Sequence, residues 1–114
     1  MADWWNELLP VQPHAHPPGA EVMLRVIVYD IAHPRRLRRM ANICADFGVR
    51  VQKSVFEFWL DEERFEELWR RLCAEMDADK DVLIAYALDE RAARRRRSHG
   101  QRALVTERRT SYVL

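Results

Sequence analysis

The sequence predicts an α+β domain whose strands and helices follow one another in the order β-α-β-β-α-β. Four short segments rich in β-branched and aromatic residues are typical of strands, and two longer segments repeat apolar residues every three or four positions, as amphipathic helices do. A chain of 114 residues, 48% apolar and 32% charged, fits one globular domain with a two-layer core. Since it contains no run of 18 apolar residues, we expect no membrane span.

The first strand is predicted in MLRVIVYDI, which begins at Met23, and the first helix follows it. The His33-Pro34 pair suits a helix start because proline fits the first helical position, and Gly48 supplies the stop. Apolar residues recur along one stripe of this helix, namely Leu37, Met40, Cys44 and Phe47. Its other side carries Arg35, Arg36, Arg38 and Arg39, which predict a cationic face.

The second half of the pattern adds a hairpin, a helix and a last strand. VRVQKSVFEFWL is long enough for two short strands that turn near Lys53 and Ser54. Asp61 is placed to cap the second helix, whose apolar stripe comprises Phe65, Leu68, Trp69, Leu72 and Met76. DVLIAYAL is the last of the four strands. This order is that of the split, ferredoxin-like arrangement, in which two helices cover one face of an antiparallel sheet.

The predicted strands are apolar at both odd and even positions. In the first strand, for example, Val26 and Val28 alternate with Ile27 and Tyr29, and the last strand behaves in the same way. Strands of this kind are buried on both faces of their sheet. Because two helices cover only one face, we expect a symmetric homodimer that packs sheet against sheet.

The two ends of the chain differ from the central domain. Residues 1–22 contain four of the five prolines and no sustained apolar period, so they are predicted to form a flexible N-terminal extension to a domain over residues 23–114. Within that domain, residues 91–114 form a basic segment: a short helix or turn that ends at Gly100, or a disordered tail, followed by an additional C-terminal strand in the final YVL.

Charge is strongly segregated although the net charge is only +1. The net charge is −3 over residues 1–22, +4 over 23–60, −7 over 61–90 and +7 over 91–114. Two basic regions on either side of an acidic helix indicate a surface for a polyanion, with the arginines at 94–97 adding to those of the first helix. The alternative is that these runs are simply solvated faces.

Asp30 is the candidate for metal chemistry, because it ends the first strand beside the arginine-bearing helix. A carboxylate there could hold a hard divalent cation, and a two-fold axis nearby would pair it with its symmetry mate. The alternative is an aspartate that accepts backbone hydrogen bonds at the turn into the helix. His33 has similar alternatives, a helix cap or a contact to phosphate.

Cys44 and Cys73 are too far apart in sequence and too few for a disulfide framework or a zinc cluster. Each lies inside a helical pattern, so both are predicted to be small core residues. This usage is typical of a reducing compartment, and we expect a cytoplasmic protein.

Taken together, VIVYDI and the following PRRLRRMANICADFGVRVQKSVFEFWL resemble the small CRISPR-associated Cas2 family, the partner of the CRISPR integrase in spacer acquisition. The resemblance covers residues 23–114. It implies a ferredoxin-like homodimer, a pair of Asp30 carboxylates that binds Mg²⁺, a catalytic role for Asp30 and the adjacent Tyr29, and a C-terminal strand exchanged between protomers. It further implies nucleic-acid contacts from the helix arginines and from Arg50, Ser54 and Phe56.

Three functions follow as expectations. The first is a magnesium-dependent endonuclease or endoribonuclease that also holds duplex DNA for the integrase, with single-stranded RNA as another substrate. The second is a non-catalytic scaffold of the same assembly. The third is an RNA-recognition module that presents Tyr29, Phe56 and Phe58 on an open sheet.

Overall fold

The computed structural model describes residues 21–100, which contain one four-stranded sheet and three helices. The elements, in chain order, are β1 (Val22–Asp30), α1 (Pro34–Phe47), β2 (Val49–Gln52), β3 (Val55–Asp61), α2 (Glu62–Glu75), β4 (Val82–Leu88) and α3 (Glu90–Arg94). The predicted β-α-β-β-α-β order is therefore confirmed. The strand proposed for the final YVL and nearly all of the N-terminal extension lie outside the described residues.

The sheet has the strand order β2-β3-β1-β4, and every neighbouring pair is antiparallel. β1 is an inner strand that pairs with β3 from Val22 to Val28 and with β4 from Leu24 to Asp30. The hairpin predicted near Lys53 joins β2 to β3. None of the helices within residues 21–100 is long and apolar enough to span a bilayer.

Local capping signals set the helix boundaries. The His33 imidazole Nδ1 accepts a hydrogen bond from the Arg35 backbone N–H at 3.1 Å, so this side chain is a helix cap, and Pro34 follows it at the first helical position. The Asp61 carboxylate caps α2 in the same way, accepting from the Arg64 N–H at 2.8 Å. Both caps satisfy backbone donors that a helix start leaves without intrahelical partners.

One face of the sheet packs against α1 and α2. The side chains that form this core are Ile27, Tyr29, Phe56, Phe58 and Leu60 from the sheet and Met40, Cys44, Phe47, Leu68 and Leu72 from the helices. The thiol of Cys44 is buried as predicted, but the prediction for Cys73 is wrong, because its side chain is exposed. One helical residue turns the side-chain direction by about 100°, which moves position 73 off the buried stripe that Leu72 continues.

The opposite face of the sheet is only partly covered. Ala93 of α3 packs on Leu24, Val49 and Trp59, which form a second small core. Next to this core, Val82, Ile84 and Tyr86 of β4 remain 50%, 42% and 56% exposed. We call these three residues, with the half-buried Val26 and Val28 of β1, the open apolar face. The described residues of one chain leave it in contact with water.

Position 48 requires glycine because there is no room for a side chain, not because of the backbone conformation. Its φ of −160° is extended backbone that any residue adopts. A Cβ atom at this position would overlap the Glu57 carbonyl oxygen and the Phe58 ring, because α1 turns into β2 directly against β3.

We expect Gly48→Ala to lower the free energy of unfolding by about 1 to 3 kcal/mol, the usual cost of forcing extra volume into a packed interior. Chemical denaturation of the full chain measures this change. Asn42→Ala, on the exposed side of α1, is the control and should change the free energy of unfolding by no more than about 0.5 kcal/mol. An unchanged stability for Gly48→Ala would show that the hairpin can move away from α1.

Candidate metal and nucleic-acid site

Three segments meet at one end of the sheet. Asp30, the last residue of β1, lies opposite Val82 at the start of β4. The Tyr29 N–H donates a hydrogen bond to the Ser54 carbonyl oxygen in the β2–β3 turn, at 3.1 Å. The sequence-predicted residues Asp30 and Ser54 are therefore brought to the same end of the sheet, beside the start of α1.

The Asp30 side chain is exposed and makes no hydrogen bond or ion pair with any other residue in the range 21–100. It shares the sheet face of Val28, Val82 and Ile84, because side chains two positions apart along a strand, and those paired across it, lie on one side. The Asp30 carboxylate thus adjoins the open apolar face. It is available to a ligand that approaches from that side.

Asp81, not Asp30, accepts the backbone hydrogen bond at the turn into α1. Its carboxylate accepts from the N–H groups of Ala32 at 2.8 Å and Asp77 at 2.9 Å, and from the Arg36 guanidinium at 2.8 and 3.1 Å. The Arg36 guanidinium, with the two backbone N–H groups, holds the pKa of Asp81 well below its usual range, although burial opposes this shift. The alternative expectation for Asp30, a turn-capping aspartate, is therefore wrong.

Tyr29 belongs to a different cluster, on the face that the helices cover. Its ring is buried and stacks on Phe56 with centroids 6.3 Å apart, and the Arg50 guanidinium lies 5.3 Å from the centre of the Phe56 ring. Burial raises the pKa of Tyr29, and the nearby Arg50 guanidinium offsets part of that effect. The predicted residues Tyr29, Arg50 and Phe56 are thus brought together, but the sheet separates them from the Asp30 carboxylate.

The same alternation of side chains along the strands rules out the third expected function, the RNA-recognition module. That function requires Tyr29, Phe56 and Phe58 on an open sheet surface. All three side chains are buried beneath α1 and α2, with no more than 3% of their surface exposed. Their strand positions have the parity of the helix-covered face, so no base can stack on them in this fold.

The four arginines of α1 have unequal surroundings. Arg35 and Arg38 are exposed and form no ion pair with other described residues. Arg39 is also exposed and lies 3.5 Å from the Glu75 carboxylate of α2. Arg36 differs from the other three, because its guanidinium is directed into Asp81 and its side chain is only 20% exposed.

The arginines after β4 also differ in whether they are paired inside the protein or exposed. Arg96 pairs with the buried Glu57 carboxylate, and its guanidinium Nε donates to the Ala93 carbonyl oxygen at 2.7 Å. This pairing holds α3 on the sheet, so Arg96 has a structural role. Arg91, Arg95 and Arg97 are exposed, which gives this end of the described chain a second basic surface.

The described residues of one chain do not form a complete metal site. Across residues 21–100, no group of three or more histidine, cysteine or acidic side chains lies close enough together to hold an ion. Asp30 is a single hard oxygen donor, the type that Mg²⁺ prefers, and an ion held there would need further ligands, such as a second Asp30, water or a substrate phosphate.

Comparison with known proteins decides the family. The model of the family described as CRISPR associated protein Cas2 matches residues 23–96. This chain belongs to the CRISPR-associated Cas2 family. A CRISPR-associated endoribonuclease Cas2 from Nitratidesulfovibrio vulgaris is 45% identical over 75 residues, which cover 61% of this chain and 74% of that protein. One from Moorella thermoacetica is 42% identical over 83 residues, or 68% of this chain and 86% of the relative.

A solved Cas2 structure has the same fold. The crystal structure of Streptococcus pyogenes Cas2 at pH 6.5 superposes with a TM-score of 0.62 at 34% identity, covering 68% of this chain and all of that one. The family resemblance and the ferredoxin-like α+β fold expected from the sequence are both confirmed. The family match ends at Arg96, so the last basic residues lie beyond it.

Sequence reasoning did not identify Asp81 as a residue of this site. Its only local signal is an acid directly before the apolar strand, which is equally typical of an ordinary turn residue. Its partner Arg36 is 45 positions away and resembles the arginines on either side of it. The pair becomes visible only when the fold places the α2–β4 loop beside the start of α1.

Proposed function

We propose that this Cas2 protein is a homodimeric, magnesium-dependent endonuclease that binds nucleic acid and supports spacer acquisition together with the CRISPR integrase. The observation that carries the proposal is the Asp30 carboxylate, which is exposed, unpaired within the described residues and adjacent to the open apolar face. The nuclease names of the relatives support the same activity for this chain.

The open apolar face supports the proposed dimer. Val82, Ile84 and Tyr86 lie next to one another on an edge strand of the described sheet. Complete burial of a large apolar side chain contributes about 1.5 to 3 kcal/mol, and covering these half-exposed side chains would contribute roughly half of that each. A second copy of the same face is the simplest cover, since a two-fold interface is complementary to itself. Asp30 lies opposite Val82, so an axis that passes near this end of β4 brings two Asp30 residues together.

Two Asp30 carboxylates fit Mg²⁺ better than one, because both are hard oxygen donors and the positive ion relieves their mutual repulsion. When bound there, Mg²⁺ would lower the pKa of a water molecule and neutralise charge on the scissile phosphate. The chain's own part is to hold the ion through Asp30 and to position the nucleic-acid backbone through Arg35, Arg38 and Arg39. Of the three further residues that the family resemblance implies for nucleic-acid contact, Arg50 is exposed and Ser54 is half-buried, so both are available to a ligand. Phe56 is buried, and its part is limited to supporting the Arg50 guanidinium that lies over its ring.

The substrate we propose is duplex DNA presented to the integrase, with single-stranded RNA as a second target for cleavage. The exposed arginines of α1 and those after α3 supply positive charge that phosphates of either nucleic acid could neutralise. A non-catalytic scaffold is the second candidate. It is favoured by the position of Tyr29, whose buried side chain lies on the helix-covered face, away from the Asp30 carboxylate that it would assist in catalysis.

We expect Ile84→Lys to convert the dimer into a monomer, because the substitution places a charge in the centre of the open apolar face. Light scattering at micromolar concentration measures the mass. Asn42→Lys, on the helix side of the molecule, is the matched control and should remain dimeric. A wild-type protein that is monomeric under these conditions would contradict the proposal.

Replacing Arg38 and Arg39 together by alanine should flatten the dependence of nucleic-acid affinity on salt. On a plot of log affinity against log salt concentration, each lost phosphate contact reduces the slope by roughly 0.9 for duplex DNA. Arg70→Ala removes an exposed arginine from the acidic helix α2 and is the control. An unchanged slope in the double variant would place the contact on other residues.

Asp30→Asn should abolish magnesium-dependent cleavage while dimerisation and salt-dependent binding stay intact, because the amide is a poor ligand but keeps the side-chain volume. Asp46→Asn, an exposed aspartate near the end of α1, is the control. Cleavage that persists with asparagine at position 30, or in excess chelator, would exclude this site. Retained spacer integration by the variant in a reconstituted integrase assay would identify the scaffold function.

A further inference from the structure

A buried ion pair lies next to the strand pairing that holds Asp30, because its carboxylate belongs to Asp81, the residue before Val82. Asp81 is fully buried at its side chain, and Arg36 is 20% exposed. The guanidinium binds the carboxylate through two hydrogen bonds, from Nε at 2.8 Å and from Nη2 at 3.1 Å. Such paired contacts fix the relative orientation of two side chains more strictly than a single hydrogen bond does.

This pair connects three segments of the chain. Ala32 belongs to the turn between β1 and α1, Arg36 to the first turns of α1, and Asp77 to the loop before β4. All three donate to the one carboxylate of Asp81, whose own N–H donates to the Asp77 carbonyl oxygen at 2.8 Å. Removing the Asp81 charge would therefore loosen the turn and the loop together.

The position of Asp30 depends on this connection. Its backbone is held on one side by the pairing of β1 with Val82, and two residues later by the Ala32 hydrogen bond to Asp81. The Asp30 carboxylate makes no hydrogen bond or ion pair with another described residue, so its position depends on where the backbone places it. Asp81 immediately precedes Val82, so these two restraints on Asp30 come from adjacent residues at the start of β4. A further restraint is the hydrogen bond from the Tyr29 N–H to the Ser54 carbonyl oxygen.

The same geometry separates Arg36 from its neighbours on α1. Two of its donors are already engaged, and a phosphate would have to compete with a buried carboxylate for them. Arg35 and Arg38 carry no such partner among the described residues. The positive charge of Arg36 is therefore neutralised locally and contributes little to the attraction of a polyanion.

We propose that Asp81 and Arg36 are positioning residues for Asp30, and that Arg36, despite its place in an arginine-rich helix, does not bind phosphate. The first half of this inference rests on the proposed role of Asp30. The second half is independent of metal and of cleavage.

The test compares Arg36→Gln and Asp81→Asn with Arg38→Gln in the full chain. Arg38→Gln removes an exposed arginine from the same helix and is the matched control. Amide hydrogen exchange at Ala32 should accelerate in the first two variants, because each removes the charged pairing that fixes the acceptor of the Ala32 N–H. The acceleration should reach up to roughly tenfold, the effect of losing one hydrogen bond outright, and exchange should not change in Arg38→Gln. The amide of Leu60, in the core of β3, serves as the reference for global unfolding.

The salt dependence of nucleic-acid binding gives the second measurement. Arg36→Gln should keep the wild-type slope, whereas Arg38→Gln should flatten it. In cleavage assays, Arg36→Gln should raise the magnesium concentration at half-maximal rate, with the apparent affinity for nucleic acid unchanged. Arg36→Lys, which keeps the charge but cannot form both hydrogen bonds, should give intermediate values and replaces Arg36→Gln if that variant does not fold.

Two results would overturn the proposal. If Arg36→Gln flattens the salt slope as much as Arg38→Gln does, Arg36 contacts phosphate. If Ala32 exchange is unchanged in Asp81→Asn, the pair does not hold the turn. A wild-type protein that neither binds Mg²⁺ nor cleaves would refute the catalytic part of the proposed function, and the exchange and salt experiments would still decide the role of the pair.

Discussion

The fold depends on one constraint, which is that the inner strand β1 has apolar side chains on both of its faces. The helices α1 and α2 cover only the face that carries Ile27 and Tyr29. Part of the other face is covered by α3, which the ion pair of Arg96 with Glu57 holds in place. The remainder, around Ile84, is left open by the part of the chain that the structure describes. The need to bury it links the folding of a single chain to the assembly that we propose for its function.

The second organising feature is that two carboxylates at the same end of the sheet have different roles. Asp81 is buried, charged and fully hydrogen-bonded, and it stabilises the turn. Asp30 is exposed and has no described partner. Because one aspartate satisfies the backbone, the other is left available to a ligand. Two arginines of the neighbouring helix α1 differ in the same way, because Arg36 is directed toward the interior and Arg38 is exposed to water.

Local sequence signals predicted the elements because each helix start and stop is a local event. His33-Pro34, Gly48 and Asp61 act on backbone groups within a few residues of themselves, and the structure confirms the boundaries that they indicate. Strand alternation also separates Tyr29 from Asp30, but it does not reveal which parity the helices cover. That choice depends on packing between distant segments, and it decides which residues can meet at the site.

The pairing of Asp81 with Arg36 could not be predicted, because nothing in the spacing distinguishes that arginine from those beside it. Cys73 was predicted to be buried because it lies within a helical pattern, but it is one position away from the buried stripe of α2 and is exposed. Burial raises the pKa of the Cys44 thiol to about 12, whereas Cys73 is exposed, so a thiol-reactive dye would distinguish the two cysteines. A fluorophore would attach at Cys73 alone, on the side of the sheet away from the open apolar face. In a two-fold assembly the two dyes would form a symmetric pair. Energy transfer between them would report assembly, and the dyes would not occupy the interface.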